Sequence, residues 1–110
     1  MANNEELLRK MRAENFVKNN GETLRAINVL RHGFCPLRNA WSVLTKLMTE
    51  QEFLDCINFL QLEGYLEIRH MDSHQQTDIA DAHYGQLEAK LSGKGIRLAQ
   101  GGILDELVDM

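Results

Sequence analysis

The apolar residues Leu37, Ala40, Trp41, Leu44, Leu47 and Met48 follow a strict three-and-four spacing, and Thr49, the next residue, is followed three positions later by Glu52. The spacing predicts one buried helical face, with Trp41 anchoring the core. Thr49 and Glu52 predict a capping box, in which each side chain satisfies a backbone donor near the other, so a new helix starts at that point. A chain that abuts two helices with almost no linker must turn sharply between them, and this constrains everything that follows.

The second of these helices is expected to run to about Glu63, with Phe53, Cys56, Ile57 and Leu60 inward, and to end at Gly64. From Tyr65 to His70, Leu66 and Ile68 alternate with Tyr65, Glu67 and Arg69, the period of a half-buried strand, and Leu87, Ala89 and Leu91 repeat it. The segment between, MDSHQQTDIADAHYG, is longer and more polar than a tight hairpin needs and reads as a mobile loop or an extended wing. Ser92 is placed to cap a closing helix through Ala99, stopped by Gly101 and Gly102, and Ile103, Leu104, Leu107 and Val108 form a short apolar tail.

Ahead of the paired helices, Asn4 with Glu5 and Glu6 suits a helix start, giving a helical arm over about 5–18. Its apolar residues Leu7, Leu8, Met11, Phe16 and Val17 form no clean single stripe. Asn19, Asn20 and Gly21 are expected to break it, and a second helix, roughly Glu22 to His32, carries Leu24, Ile27 and Leu30 or Arg31 inward and ends at Gly33. The expected organisation is an arm over 1–20, a domain over 21–102 and a tail over 103–110. Its class is mainly α with a small β-hairpin, that is, α+β.

A chain of 110 residues with 44% hydrophobic and 25% charged residues is suited to a single domain that buries its own core. Without a long apolar run or a leader-like start it is expected in the cytoplasm, where Cys35 and Cys56 stay free thiols, with Cys56 buried. Charge is divided along the chain. Residues 1–46 hold eight Lys or Arg against four Glu, whereas residues 47–89 hold Arg69 alone against nine Asp or Glu. Affinity for phosphate must therefore come from the ends of the chain.

The pieces FLQLEGYLEIR and KLSGKGIRLAQGG resemble the winged helix-turn-helix superfamily of small bacterial or phage-encoded transcription regulators, over about residues 22–101. There a helix ends in Gly-Tyr, a strand follows, and the second wing strand passes through Leu-Ser and Lys-Gly into a last helix. The resemblance implies a winged-helix fold carrying an additional N-terminal helical arm, and binding of double-stranded DNA with the helix from Thr49 in the major groove. Gln51, Asp55 and Asn58 are the base-facing candidates; Arg25, Arg38, Lys46, Arg69 and Lys90 are the phosphate candidates. Many such regulators pair through terminal helices, and a homodimer is expected because arm and tail both look unfinished.

The sequence departs from that pattern where it matters most: neither the helix from Thr49 nor the segment Met71–Gly85 contains a Lys or Arg. Phe59 and Leu62, off the core stripe on an acidic helix, suit a protein partner or packing beneath the arm or tail. The alternative to a regulator is thus a winged-helix interaction module that does not bind DNA.

Chemistry-bearing patterns are weak. His70, His74 and His83 with Asp72 lack metal-site spacing, and His32 with Cys35 lacks an orienting third group. Gly93-Lys94-Gly95 lacks the spacing of a phosphate loop. No catalytic residue, metal or cofactor is expected, nor an enzyme.

Overall fold

Asn3 opens the first helix by accepting a hydrogen bond from the Glu6 amide at 2.9 Å, one residue before the expected start. The structure, a computed structural model, describes residues 3–30 and 32–110; of the expected inward positions, the Leu30 side chain and Arg31 lie outside the described residues. Helix α1 (Asn4–Ile27) is followed by a 3-10 turn at Asn28–Leu30, strand β1 (Cys35–Pro36), α2 (Leu37–Leu44), α3 (Glu50–Leu62), β2 (Leu66–His70), a 3-10 turn at Tyr84–Gln86, β3 (Leu87–Leu91) and α4 (Gly93–Ala99). The strands form an antiparallel sheet in the order β1-β3-β2, so the fold is α+β. The expected hairpin is one strand short: Cys35 and Pro36 pair with Ala89 and Glu88.

The break expected at Asn19, Asn20 and Gly21 is absent, and α1 crosses it without interruption. All three residues are poor helix formers, and each is tied to a tertiary contact that outweighs its propensity. The Asn19 amide donates to Glu52 at 3.4 Å, and that of Asn20 to the Leu107 carbonyl at 3.0 Å. At Gly21 a side chain would overlap the carbonyl of Asp109, so the C-terminal tail lies in a notch that only glycine leaves open. The arm and the body therefore share one helix, and a boundary after residue 20 has no counterpart in the backbone.

The helix expected over Leu37–Met48 also changes. α2 stops at Leu44, and the turn that follows leaves Leu47 54% exposed while Met48 is buried. Trp41 is only half-buried; its ring lies 5.5 Å from that of Phe53, which is fully buried and takes the anchoring place. The capping box at Thr49 and Glu52 forms with both of its bonds, and Gly64, at φ +81°, ends the turn after α3 in the left-handed region that favours glycine.

Leu66 and Ile68 of β2 pair with Leu91 and Ala89 of β3 and turn inward with Leu87. They meet Leu24, Ile27, Leu37, Phe53, Ile57 and Leu60 in the core, where each large side chain contributes about 2 kcal/mol by leaving water. Tyr65, expected to face outward, is buried: it precedes the strand and donates its hydroxyl proton to Asp105 of the tail. Ser92 caps α4 by accepting from the Gly95 amide, as its position suggests.

The segment 71–85 does not extend as a wing. It folds back along α3, because the Gln61 side chain donates to the Thr77 carbonyl at 2.9 Å and accepts from the Ile79 amide at 3.2 Å. Gln76 bridges to Arg69, flanked by hydrogen bonds from His70 to Gln75 and from Thr77 to Ile68. The tail is also docked: Val108 is buried, and the Asp109 amide donates to the Val17 carbonyl. By contrast, every residue from Asn3 to Asn15 is exposed, so the first half of α1 projects from the body of a molecule 54 Å long and 22 Å across its narrowest axis.

Candidate interaction surface on α3

Phe53, Cys56, Ile57 and Leu60 hold one side of α3 in the core, which leaves Glu50, Gln51, Asp55, Asn58 and Leu62 exposed on the other. Gln51 donates to Asp55 at 2.9 Å, one helical turn on, so the base-facing candidates lie together and two of them already bond each other. Along one side of this face the returning segment 79–84 forms a wall, enclosing a groove of about 440 Å³. Leu54, Ile79, Ala82 and Tyr84 supply its apolar lining, with Glu50 and Asp55 as its acidic members. The Tyr84 hydroxyl donates to Glu50 at 3.1 Å, and burial, reinforced by that carboxylate, holds its pKa above the ordinary value.

On the other side, α3 meets the base of the arm across a second groove of about 510 Å³, lined by Arg12, Ala13, Phe16, Asn19, Glu52 and Asp55. Phe59 is engaged here: its ring meets that of Phe16 edge-on at 5.2 Å, so it packs beneath the arm. Leu62 remains free, 71% exposed.

The phosphate candidates do not gather around α3. Arg69 and Lys90 stand on the outer face of the sheet, where Arg69 pairs with Glu88 and lies 3.6 Å over the Phe34 ring. Lys90 is 3.9 Å from Glu67 and also approaches Phe34. Arg25 pairs with Glu22 and donates to the Asp109 carbonyl, helping to hold the tail. Arg38 and Lys46 are exposed and make no ion pair among the described residues; the Arg38 guanidinium lies against Gly85, at the edge of the 79–84 wall.

Both cysteines are buried free thiols. Burial raises the pKa of each, that of Cys56 to about 12, which leaves neither as a nucleophile near neutral pH. Among the described residues no three His, Cys, Asp or Glu side chains converge to hold a metal ion, and no helix is long and apolar enough to cross a membrane. The site residues that the sequence reading missed are Glu50, Leu54, Gln61, Ile79, Ala82 and Tyr84. An isoleucine and a tyrosine inside an otherwise polar segment were the available signal that it docks.

Comparison with known protein families, with characterised proteins and with solved structures finds no match.

Proposed function

We propose that the chain is a winged-helix-type interaction module whose α3 groove takes a segment of a protein partner bearing an apolar anchor flanked by Lys or Arg. The observation that carries this reading is the groove itself: an apolar lining beside Glu50 and Asp55, in elements that contain no cation. Apolar surface supplies binding energy, and carboxylates around it select for basic flanks and repel a phosphate backbone. Phosphate contacts supply most of the affinity of DNA-binding proteins, and three of the five phosphate candidates, Arg25, Arg69 and Lys90, are paired within the chain.

A second reading, a homodimeric DNA-binding transcription regulator, draws on Arg38 and Lys46, exposed and without ion-pair partners among the described residues, together with the basic residues of the arm. The two are separated by selecting random displayed peptides on the protein, with Asp55→Lys as the counter-target, beside fluorescence anisotropy with random duplex DNA across a salt series. The module reading expects peptides with a large apolar residue between basic ones, lost on Asp55→Lys, and no duplex binding. Salt-dependent duplex binding at roughly micromolar concentration, abolished by Arg38→Glu with Lys46→Glu, would replace it with the regulator.

A further inference from the structure

Arg12, Phe16 and Asn19 are spaced four and three apart, which sets them in one row along α1, and all three line the groove of about 510 Å³ between the arm and α3. The two ends of this groove carry opposite charge. At one end Asn19 donates to Glu52, whose other oxygen accepts from the Thr49 amide at 2.8 Å, so that carboxylate is held in place. Asp55, about one turn further along α3, lines the groove with it. At the other end is Arg12, seven residues and therefore about 10 Å from Asn19 along the helix. Among the described residues Arg12, Glu52 and Asp55 form no ion pair, although they line the same groove. Between the two ends lie Ala13 and Phe16, the latter met edge-on by Phe59.

We propose that this groove binds a free short peptide, a tripeptide with a large apolar central residue, its amino terminus at Glu52 and Asp55 and its carboxylate on Arg12. The separation of the charges selects the length. A free amino acid holds its two charges about 3 Å apart, too close to reach both ends, whereas three extended residues at roughly 3.3–3.6 Å each span about 10 Å. Phe16 stands four residues from Arg12 and three from Asn19, so it meets the middle side chain. An ammonium has three donors to share between the two carboxylates, and a guanidinium takes a carboxylate through two parallel hydrogen bonds. A nucleic-acid backbone or a uniformly basic segment satisfies only one end. Arg12 and Asp55 are exposed, so their charges stay partly hydrated and the affinity is modest, roughly sub-millimolar. This site goes beyond the α3 groove reading and stands or falls separately from it, since neither Arg12 nor Glu52 lines the groove beside segment 79–84.

Titration with the peptide Ala-Leu-Ala, followed through backbone amide shifts by NMR, tests it. Shifts are expected at Ala13, Phe16, Asn19 and Asp55, with free leucine about ten-fold weaker. Acetylating the amino terminus of the peptide, or amidating its carboxylate, is expected to weaken binding roughly five-fold in each case. Arg12→Gln is expected to cost the free peptide the same factor and the amidated peptide nothing. Glu52→Gln, in which glutamine can keep the capping box, is expected to cost the free peptide more than the acetylated one. Several outcomes would overturn the proposal: no shifts at millimolar peptide, free leucine binding as tightly as the tripeptide, or variants that weaken free and blocked peptides alike. A peptide blocked at both ends that binds as tightly as the free one would also overturn it, and would point to an internal segment of a protein instead.

Discussion

The C-terminal tail and the first half of α1 are both short segments with large apolar residues, yet Val108 is buried beside α1 while Leu7, Leu8 and Met11 stay in solvent. Apolar content does not separate them; what separates them is whether the rest of the chain offers a place to dock. The tail is met by a notch at Gly21, by an amide from Asn20, by the Val17 carbonyl and by the Arg25 guanidinium. The arm's apolar side chains point away from every such group. One helix thus serves as receiver along its second half and as an open surface along its first.

The sharpest way to break this contrast is to truncate one leucine in each half of α1. Leu24→Ala, in the core, is expected to cost about 2–5 kcal/mol, and Leu8→Ala to stay within about 0.5 kcal/mol, both read from urea unfolding. Equal losses would mean that the arm is packed in solution. Next in size, Gly21→Val is expected to cost about 1–3 kcal/mol by driving its side chain into the Asp109 carbonyl, and to open the 103–110 segment to proteolysis. Protection equal to wild type would remove the notch from the account.

The smallest effect is on alkaline pH. Burial, then the hydrogen bond to Asp105 and the charges of Asp105 and Glu63, raise the Tyr65 pKa from 10.0 to about 12. The unfolded chain therefore loses this proton first, and the folded state binds more protons between those values. Stability from this group is complete below pH 10 and declines as pH climbs from 10 towards 12. Tyr65→Phe is expected to flatten that decline, and an unchanged pH profile of unfolding would place its origin elsewhere.

What could be read from the sequence is what short-range chemistry decides. Thr49 with Glu52, Ser92 with Gly95, and the alternation through Leu66 and Ile68 each involve groups within a few residues, and each forms as the pattern implies. The course of α1 could not be read this way, because Asn19, Asn20 and Gly21 look like a break until Glu52, Leu107 and Asp109 are beside them. The same holds for the α3 surface. Its exposed Gln51, Asp55 and Asn58 follow from the helical wheel, but the wall beside them depends on Gln61 reaching residues 16 and 18 positions away. Cationic residues could be counted in the sequence; that Arg69 and Lys90 are spent on Glu88, Glu67 and Phe34 could not.

The register of the sheet bears on how the molecule can meet others. Its central strand, β3, is paired on both sides; one outer strand is two residues long and contains Pro36, and the other is covered over Ile68–His70 by the returning residues 75–77. Exposed strand edges are the usual template on which chains add to one another and aggregate. Here one edge is too short and the other is largely occupied, so the sheet is poorly suited to growing by a foreign strand.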